Sequence, residues 1–198
     1  MLQAVREHTR FLLQGVAALW VIELCNVLLG HRLSRWGIVP RTMWGLVGIP
    51  LSPFLHGSVV HLLLNTLPLT LLGGLVMMQG KARFLEVSLC ITMLGGAGVW
   101  LFGRAASHVG ASGLIFGYFG YLVARGWYRR DLYALSAAAL TVLFYGGMLW
   151  GIVPTRLGVS WEAHLFGLLA GIVAARLQGP VNEDAAGERQ RLPPVNFP

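Results

Sequence analysis

Four polar side chains recur near the start of alternate apolar stretches, and together they could perform nucleophilic chemistry. His61 and Asn65 lie four apart at the head of the second stretch. Ser112 sits within Gly110-Ala-Ser112-Gly113 at the head of the fourth, and His164 opens the sixth. A serine hydroxyl attacks a carbonyl once a neighbouring base takes its proton, and an imidazole is the usual base. The oxyanion that develops needs hydrogen-bond donors. His61 and Asn65, one helical turn apart, share a face and both can donate. The backbone N–H of Ser112, in the first turn of a helix, has no intrahelical partner. These three are the candidate oxyanion donors.

A third, orienting carboxylate is hard to find among the eight acidic residues. Glu86 and Asp131 fall at the opposite ends of their stretches, and Glu7, Glu183, Asp184 and Glu188 are terminal. Glu162 lies two residues before His164, on another helix face. Only Glu23 stands in the outer half of a stretch, where hydrogen bonding within a bundle is the expected role. The simplest reading is a Ser112–His164 pair without an acid. His56 either assists this site or stabilises the segment leading into the second stretch. Paired histidines also bind metals, but there is no His-Glu-x-x-His, and the His56–His61 gap suits one ligand face poorly. No metal or cofactor is expected. Cys25 and Cys90, inside apolar stretches, read as small apolar fillers.

The elements that must position these groups are membrane helices. The 198 residues are 56% hydrophobic and 12% charged, against roughly 25% charged in soluble domains. The apolar stretches run over Phe11–Leu29, Val59–Gln79, Phe84–Gly103, Gly110–Ala124, Tyr133–Ile152 and Trp161–Leu177. Most approach the ~20 residues needed to cross hydrocarbon. The fold class is therefore all-α and polytopic, a bundle of six transmembrane helices. Even-numbered spans then all begin on one side, which brings Ser112, His164, His61 and Asn65 to one depth. Polar groups in lipid are costly and usually functional. The fourth stretch, only fifteen residues, is expected to be a short central helix with its upper end in a water-filled recess. Ser107, His108, Thr155 and Ser160 would line or cap the path of water.

Ten of the fifteen Lys and Arg residues fall on the side of the N-terminus, which places both termini in the cytoplasm and the polar cluster toward the outer face. The net charge of +7 needs no nucleic-acid partner, since basic and aromatic residues lie at span ends, where they anchor and orient. Glu23 interrupts the first apolar run and no small-residue cleavage site follows, so that run is a retained span rather than a signal peptide. Residues 1–10 form a cytoplasmic segment, 11–178 the six-span core, and the polar, Pro-rich 179–198 a disordered tail. Trp36 and Trp44 in the long Gly30–Gly57 loop suggest an element lying in the interface, and Ser58 is placed to cap the next helix. Gly110, Gly113, Gly117 and Gly120, with Gly167, Gly171 and Ala175, form small-residue stripes that let the fourth and sixth spans approach closely.

These motifs resemble the rhomboid family of intramembrane serine proteases, over roughly Arg35 to Gln178. The resemblance rests on His-x-x-x-Asn (His61, Asn65), Gly-x-Ser-Gly (Gly110, Ser112, Gly113) and His-x-x-Gly-x-x-x-Gly (His164, Gly167, Gly171), each on the appropriate span. It implies Ser112 as nucleophile, His164 as general base and acid, and His61 with Asn65 as oxyanion stabilisers. It implies single-span membrane proteins as substrates, cut in or near the outer part of the span, with no metal or cofactor. Two departures stand out. The Trp-Arg signature frequent in the first outer loop is replaced by Arg35-Trp36 in reversed order, and Phe116 stands where a tyrosine often packs on the histidine. The expected partners are transmembrane protein substrates and membrane lipid. The alternative is a non-proteolytic relative that binds or escorts membrane helices; such proteins tend to lose the nucleophile or base, and both are present here. A transporter would need polar residues reaching the inner face, where these spans are apolar. Compact size points to a bacterial plasma membrane.

Overall fold

Long apolar runs without a helix-breaking cluster leave the backbone one economical solution in lipid, which is to satisfy its own hydrogen bonds as helix. The computed structural model describes residues 2–154 and 158–178. The tail from Gly179 onward, expected to be disordered, lies outside the described residues, as does Thr155. The described residues form helices α1 (Leu2–Leu28), α2 (Met43–Leu51), α3 (Val59–Met77), α4 (Lys81–Cys90), α5 (Gly96–Phe102), α6 (Ser112–Arg129), α7 (Leu132–Tyr145) and α8 (Trp161–Leu177). A π turn at Ile91–Gly95 joins α4 to α5 into one rod, and a 3-10 turn at Gly146–Ile152 extends α7. No strand occurs among the described residues; a lone antiparallel bridge pairs Ile38 with His108.

Among the described residues, four helical segments are long and apolar enough to cross a membrane: Val5–Leu28, Val59–Met77, Lys81–Phe102 and Leu132–Ile152. Their outer surfaces carry large exposed apolar side chains, among them Leu24, Leu64, Leu89, Leu143 and Phe144. Water would not tolerate so continuous a coat, whereas lipid solvates it. The protein is an integral membrane protein.

α6 departs from its expected length. It runs for 18 residues, to Arg129, because the helix continues past the point where hydropathy falls at Arg125. It is not a short helix. It is nevertheless the most enclosed element, with every residue from Ile115 to Leu122 buried; a helix apolar on all sides belongs inside. α1 likewise reaches back to Leu2, well before the apolar run begins.

Close packing of α6 on α8 follows from glycine. A Cβ on Gly167 would collide with the carbonyl oxygen of Gly113, and one on Gly171 with that of Gly117. Gly120 faces the Leu168 carbonyl in the same seam. Gly110 does not continue this stripe. It lies ahead of α6 with φ +122°, a conformation glycine adopts at little cost, and its open side faces His61.

The Gly30–Gly57 segment contains α2 and two 3-10 turns, with Trp36 and Trp44 packed edge to face at 5.6 Å between centroids. Ser58 caps α3 as its position suggests, its side chain accepting from the His61 N–H at 3.1 Å.

Candidate active site

α3, α6 and α8 each deliver a polar side chain within their first turns, and the close α6–α8 seam brings two of those starts together. Ser112 is the first residue of α6, and His164 lies in the first turn of α8. Ser112, His164, His61 and Asn65 line one pocket of about 600 Å³, with Phe116, Tyr145 and Met148 also in its wall. All four residues singled out by type and spacing therefore share a single cavity.

His164 is oriented by the main chain. Its Nδ1 lies 2.8 Å from the Gly151 carbonyl oxygen, which can only accept, so Nδ1 carries the proton and donates it there. Nε2 is then the basic nitrogen. Phe116 lies flat against the ring, centroids 4.1 Å apart and planes 7° from parallel. A backbone carbonyl, not a carboxylate, fixes the orientation of this ring.

The two acids nearest the site are engaged elsewhere. Glu162 is buried and binds Arg104, accepting from its backbone N–H at 3.2 Å and pairing with its guanidinium at 3.3 Å. Glu23 accepts from the Asn26 amide at 3.2 Å and lies 3.9 Å from His31. Its place is in a buried network rather than against Ser112.

The amide nitrogen of Asn65 is buried and without a hydrogen-bond partner. A buried donor left unpaired costs about 1–3 kcal/mol, and such a group belongs where a ligand atom arrives. A Cβ at Gly110 would lie 2.8 Å from His61 Nε2 and 3.7 Å from Asn65 Nδ2. Glycine at that position keeps open the space which both donors face.

His56 is bound to the turn ahead of Ser112. Its Nε2 accepts from the Ala111 N–H at 3.3 Å, and its ring meets His61 edge to face at 5.1 Å. Burial lowers its pKa from 6.5 to about 4, with repulsion from His61 adding to the shift. The neutral ring thus keeps the lone pair that holds the turn before Ser112. The adjacent Gly110 N–H donates to the Ser52 carbonyl at 2.9 Å, so two consecutive main-chain donors ahead of the serine are tied down.

Sequence reasoning missed Asn26. Its amide reaches the His56 carbonyl at 2.9 Å and Ser34 Oγ at 3.0 Å, while its oxygen accepts from the Leu33 N–H at 3.0 Å. An asparagine three residues after Glu23 in an apolar run was the available signal, since that spacing shares a helix face. Ser107 and His108, expected to line or cap the path of water, are not in the wall of this pocket. Ser107 donates to the Ser34 carbonyl at 2.9 Å, and buried His108 binds Ser160 Oγ at 2.6 Å, so both tie loops together. Ser160 does reach the pocket wall.

Comparison with known proteins agrees with this architecture. Residues 40–180 match the family model described as Rhomboid domain. An uncharacterized protein of Mycobacterium tuberculosis is 41% identical over 175 residues, covering 84% of this chain and 73% of the relative. An uncharacterized protein of Mycobacterium leprae is 38% identical over 182 residues, covering 84% and 69%. The protein named "Putative rhomboid protease YdcA" of Bacillus subtilis is 31% identical over 181 residues, covering 84% and 86%. With its helices, its glycine seam and a family match over most of its length, the chain belongs to the rhomboid family.

Proposed function

We propose that the chain is an intramembrane serine endopeptidase that cleaves single-span membrane proteins in or near the outer part of their transmembrane segment. The observation that carries this reading is the shared pocket, in which Ser112 lies with a histidine whose Nδ1 is already committed to Gly151. In this reading α1, α3, the α4–α5 rod, α6, the extended α7 and α8 are six spans. Residues 11–178 form the catalytic core, with residues 1–10 and the tail 179–198 in the cytoplasm. The pocket opens toward the outer face of a bacterial plasma membrane. The excess of basic residues at the far end of the bundle supports that orientation.

The substrate helix unwinds locally between α3 and α7, where exposed Val60 and Leu64 lie beside the pocket. His164 Nε2 takes the Ser112 proton as Oγ bonds to the scissile carbonyl carbon. The carbonyl oxygen becomes an oxyanion held by Asn65 Nδ2, His61 and the Ser112 N–H. The C–N bond breaks as His164 returns the proton to the leaving amine. His164 then deprotonates a water as it attacks the acyl carbon, and the C–O bond to Ser112 breaks as His164 returns that proton to Oγ.

The test is cleavage of a single-span substrate in liposomes, with labelling by a fluorophosphonate probe. Cleavage and labelling are expected in the wild-type chain and neither in Ser112→Ala. Equal cleavage by Ser112→Ala would overturn the assignment. A wild-type chain that binds such helices but neither cuts them nor takes the probe is instead a non-proteolytic relative.

A further inference from the structure

We propose that a cleft at the far end of α6 from Ser112 binds a phosphate-bearing anion, the headgroup of an acidic phospholipid. The proposal stands apart from the serine chemistry. Thirteen residues of α6 separate Ser112 from Arg125, which is about 20 Å at 1.5 Å per residue. The cleft has a volume of about 410 Å³ and is lined by Arg83, Arg125, Arg129, Tyr133, Gln79 and Gln178, among others. Arg125 and Arg129, four apart, present one face of α6, while Arg83 arrives from α4.

Among the described residues, the charges in this cleft do not close. Arg83 pairs with Glu86 at 3.2 Å, and Arg129 with Asp131 at 3.0 Å. Asp131 also accepts from the Ala134 N–H at 2.7 Å. That bond first, and Arg129 second, hold its carboxyl below the usual carboxylate range, so it remains an anion committed to its own helix. Arg125 has no carboxylate within salt-bridge distance among the described residues. Its guanidinium lies 5.5 Å over the Tyr133 ring, and one of its terminal nitrogens is buried without a hydrogen-bond partner. A ring face compensates a cation only in part, and the half-buried Arg125 has no counter-ion beside it among the described residues. One monovalent anion would remove the shortfall.

The floor of the cleft is polar and fixed. Tyr121 Oη lies 2.7 Å from an amide group of both Gln79 and Gln178. A phenol has one proton to donate, so at least one of these amides turns its NH₂ toward the phenol oxygen. A guanidinium in such a frame suits two oxygens of one phosphate. Basic pockets between membrane helices at headgroup depth are where acidic lipids are held. Exposed Met78 and Tyr128 at the rim offer apolar surface for acyl chains, which favours a lipid over free phosphate.

The experiment follows the thermal midpoint of the full chain in a non-ionic detergent during titration with short-chain phosphatidylglycerol, short-chain phosphatidylcholine or inorganic phosphate. Phosphatidylglycerol should raise the midpoint with the logarithm of its concentration, by about 5 °C at the top of the titration, phosphate by less, and phosphatidylcholine not at all. Arg125→Gln should abolish the rise, whereas Arg130→Gln, exposed at the same level but outside the cleft, should keep it. Should Arg125→Gln not fold, Arg125→Lys retains the charge and should raise the lipid concentration needed for a given rise about tenfold through loss of paired hydrogen bonds. The site is overturned by an equal rise with phosphatidylcholine, by no rise with either anion, by an unaltered response in the Arg125 variants, or by equal loss in Arg130→Gln. A rise with inorganic phosphate alone overturns lipid as the source and keeps the anion site.

Discussion

The two ends of α6 solve opposite problems with different parts of the chain. At the Ser112 end three uncharged side chains are anchored by main-chain atoms: His164 by the Gly151 carbonyl, His56 by the Ala111 N–H, Asn26 by the His56 carbonyl. At the Arg125 end side chains meet side chains of opposite charge, Arg83 with Glu86 and Arg129 with Asp131. A base that must accept and return a proton needs a neutral ring with one nitrogen free, and backbone groups orient it without adding charge. Charged pairs at the other end anchor the bundle where headgroups and water screen them. The lesson is that the orientation of the pocket's histidines is a property of the backbone.

The sharpest break in this contrast comes from the reacting groups themselves. Ser112→Ala or His164→Ala should abolish cleavage while leaving the thermal midpoint within a few degrees, because neither anchors the seam. Next in size is Asn65→Ala. If its unpaired amide meets the oxyanion, kcat should fall on the order of 10²-fold with little change in KM; a KM effect alone would make Asn65 a binding group.

The His56 anchor sets a pH window. Folded His56 takes a proton only near pH 4, whereas the unfolded chain takes it near 6.5. Its contribution to stability is therefore complete above pH 6.5, declines as pH falls toward 4, and is flat below. The loss totals roughly 3 kcal/mol at the acid limit. Protonation also removes the lone pair that accepts from Ala111. Thermal melts of His56→Gln between pH 7 and 4 should slope less than those of the wild type. Parallel curves would assign the acid sensitivity to other histidines.

A smaller change tests the seam that sets the distance between the two starts. Gly167→Ala places a methyl against the Gly113 carbonyl oxygen, and backbone facing backbone cannot yield as a flexible side chain does. The expected cost is about 2 kcal/mol of stability, read by thermal melting, with cleavage reduced in step. Gly80→Ala at the α3–α4 turn is a poor control because its φ is +105°; Gly15→Ala, with open space around it, is the better one.

What sequence disclosed divides along the same line. That His61, Asn65, Ser112 and His164 meet in one pocket was legible because side-chain type and helical period are written in the residues, and α8 and the Ser58 cap fell where their signals put them. The Gly151 carbonyl was not legible, since every residue has a carbonyl and only the fold selects one. Gly110 looked like a fourth member of the packing stripe because spacing says nothing of a positive φ. α6 was read too short because hydropathy drops at Arg125, although a helix can carry an arginine at its end when a cleft receives the guanidinium.

Phe116 gives the smallest and most discriminating test. Its ring lies flat on His164, and its tip points at Gly151, where an added Cβ would sit 3.1 Å from both Phe116 Cζ and His164 Nδ1. Phe116→Leu should lower kcat by up to about tenfold, the worth of an aromatic pair beyond its buried area. Phe116→Tyr keeps the stacked face and adds a hydroxyl beside Gly151, so cleavage should stay within about threefold of wild type. The phenol could also compete for the Gly151 carbonyl and release Nδ1 of His164. In that case the tyrosine variant would lose more activity than the leucine variant, and the backbone hydrogen bond rather than the stack would be what holds the base.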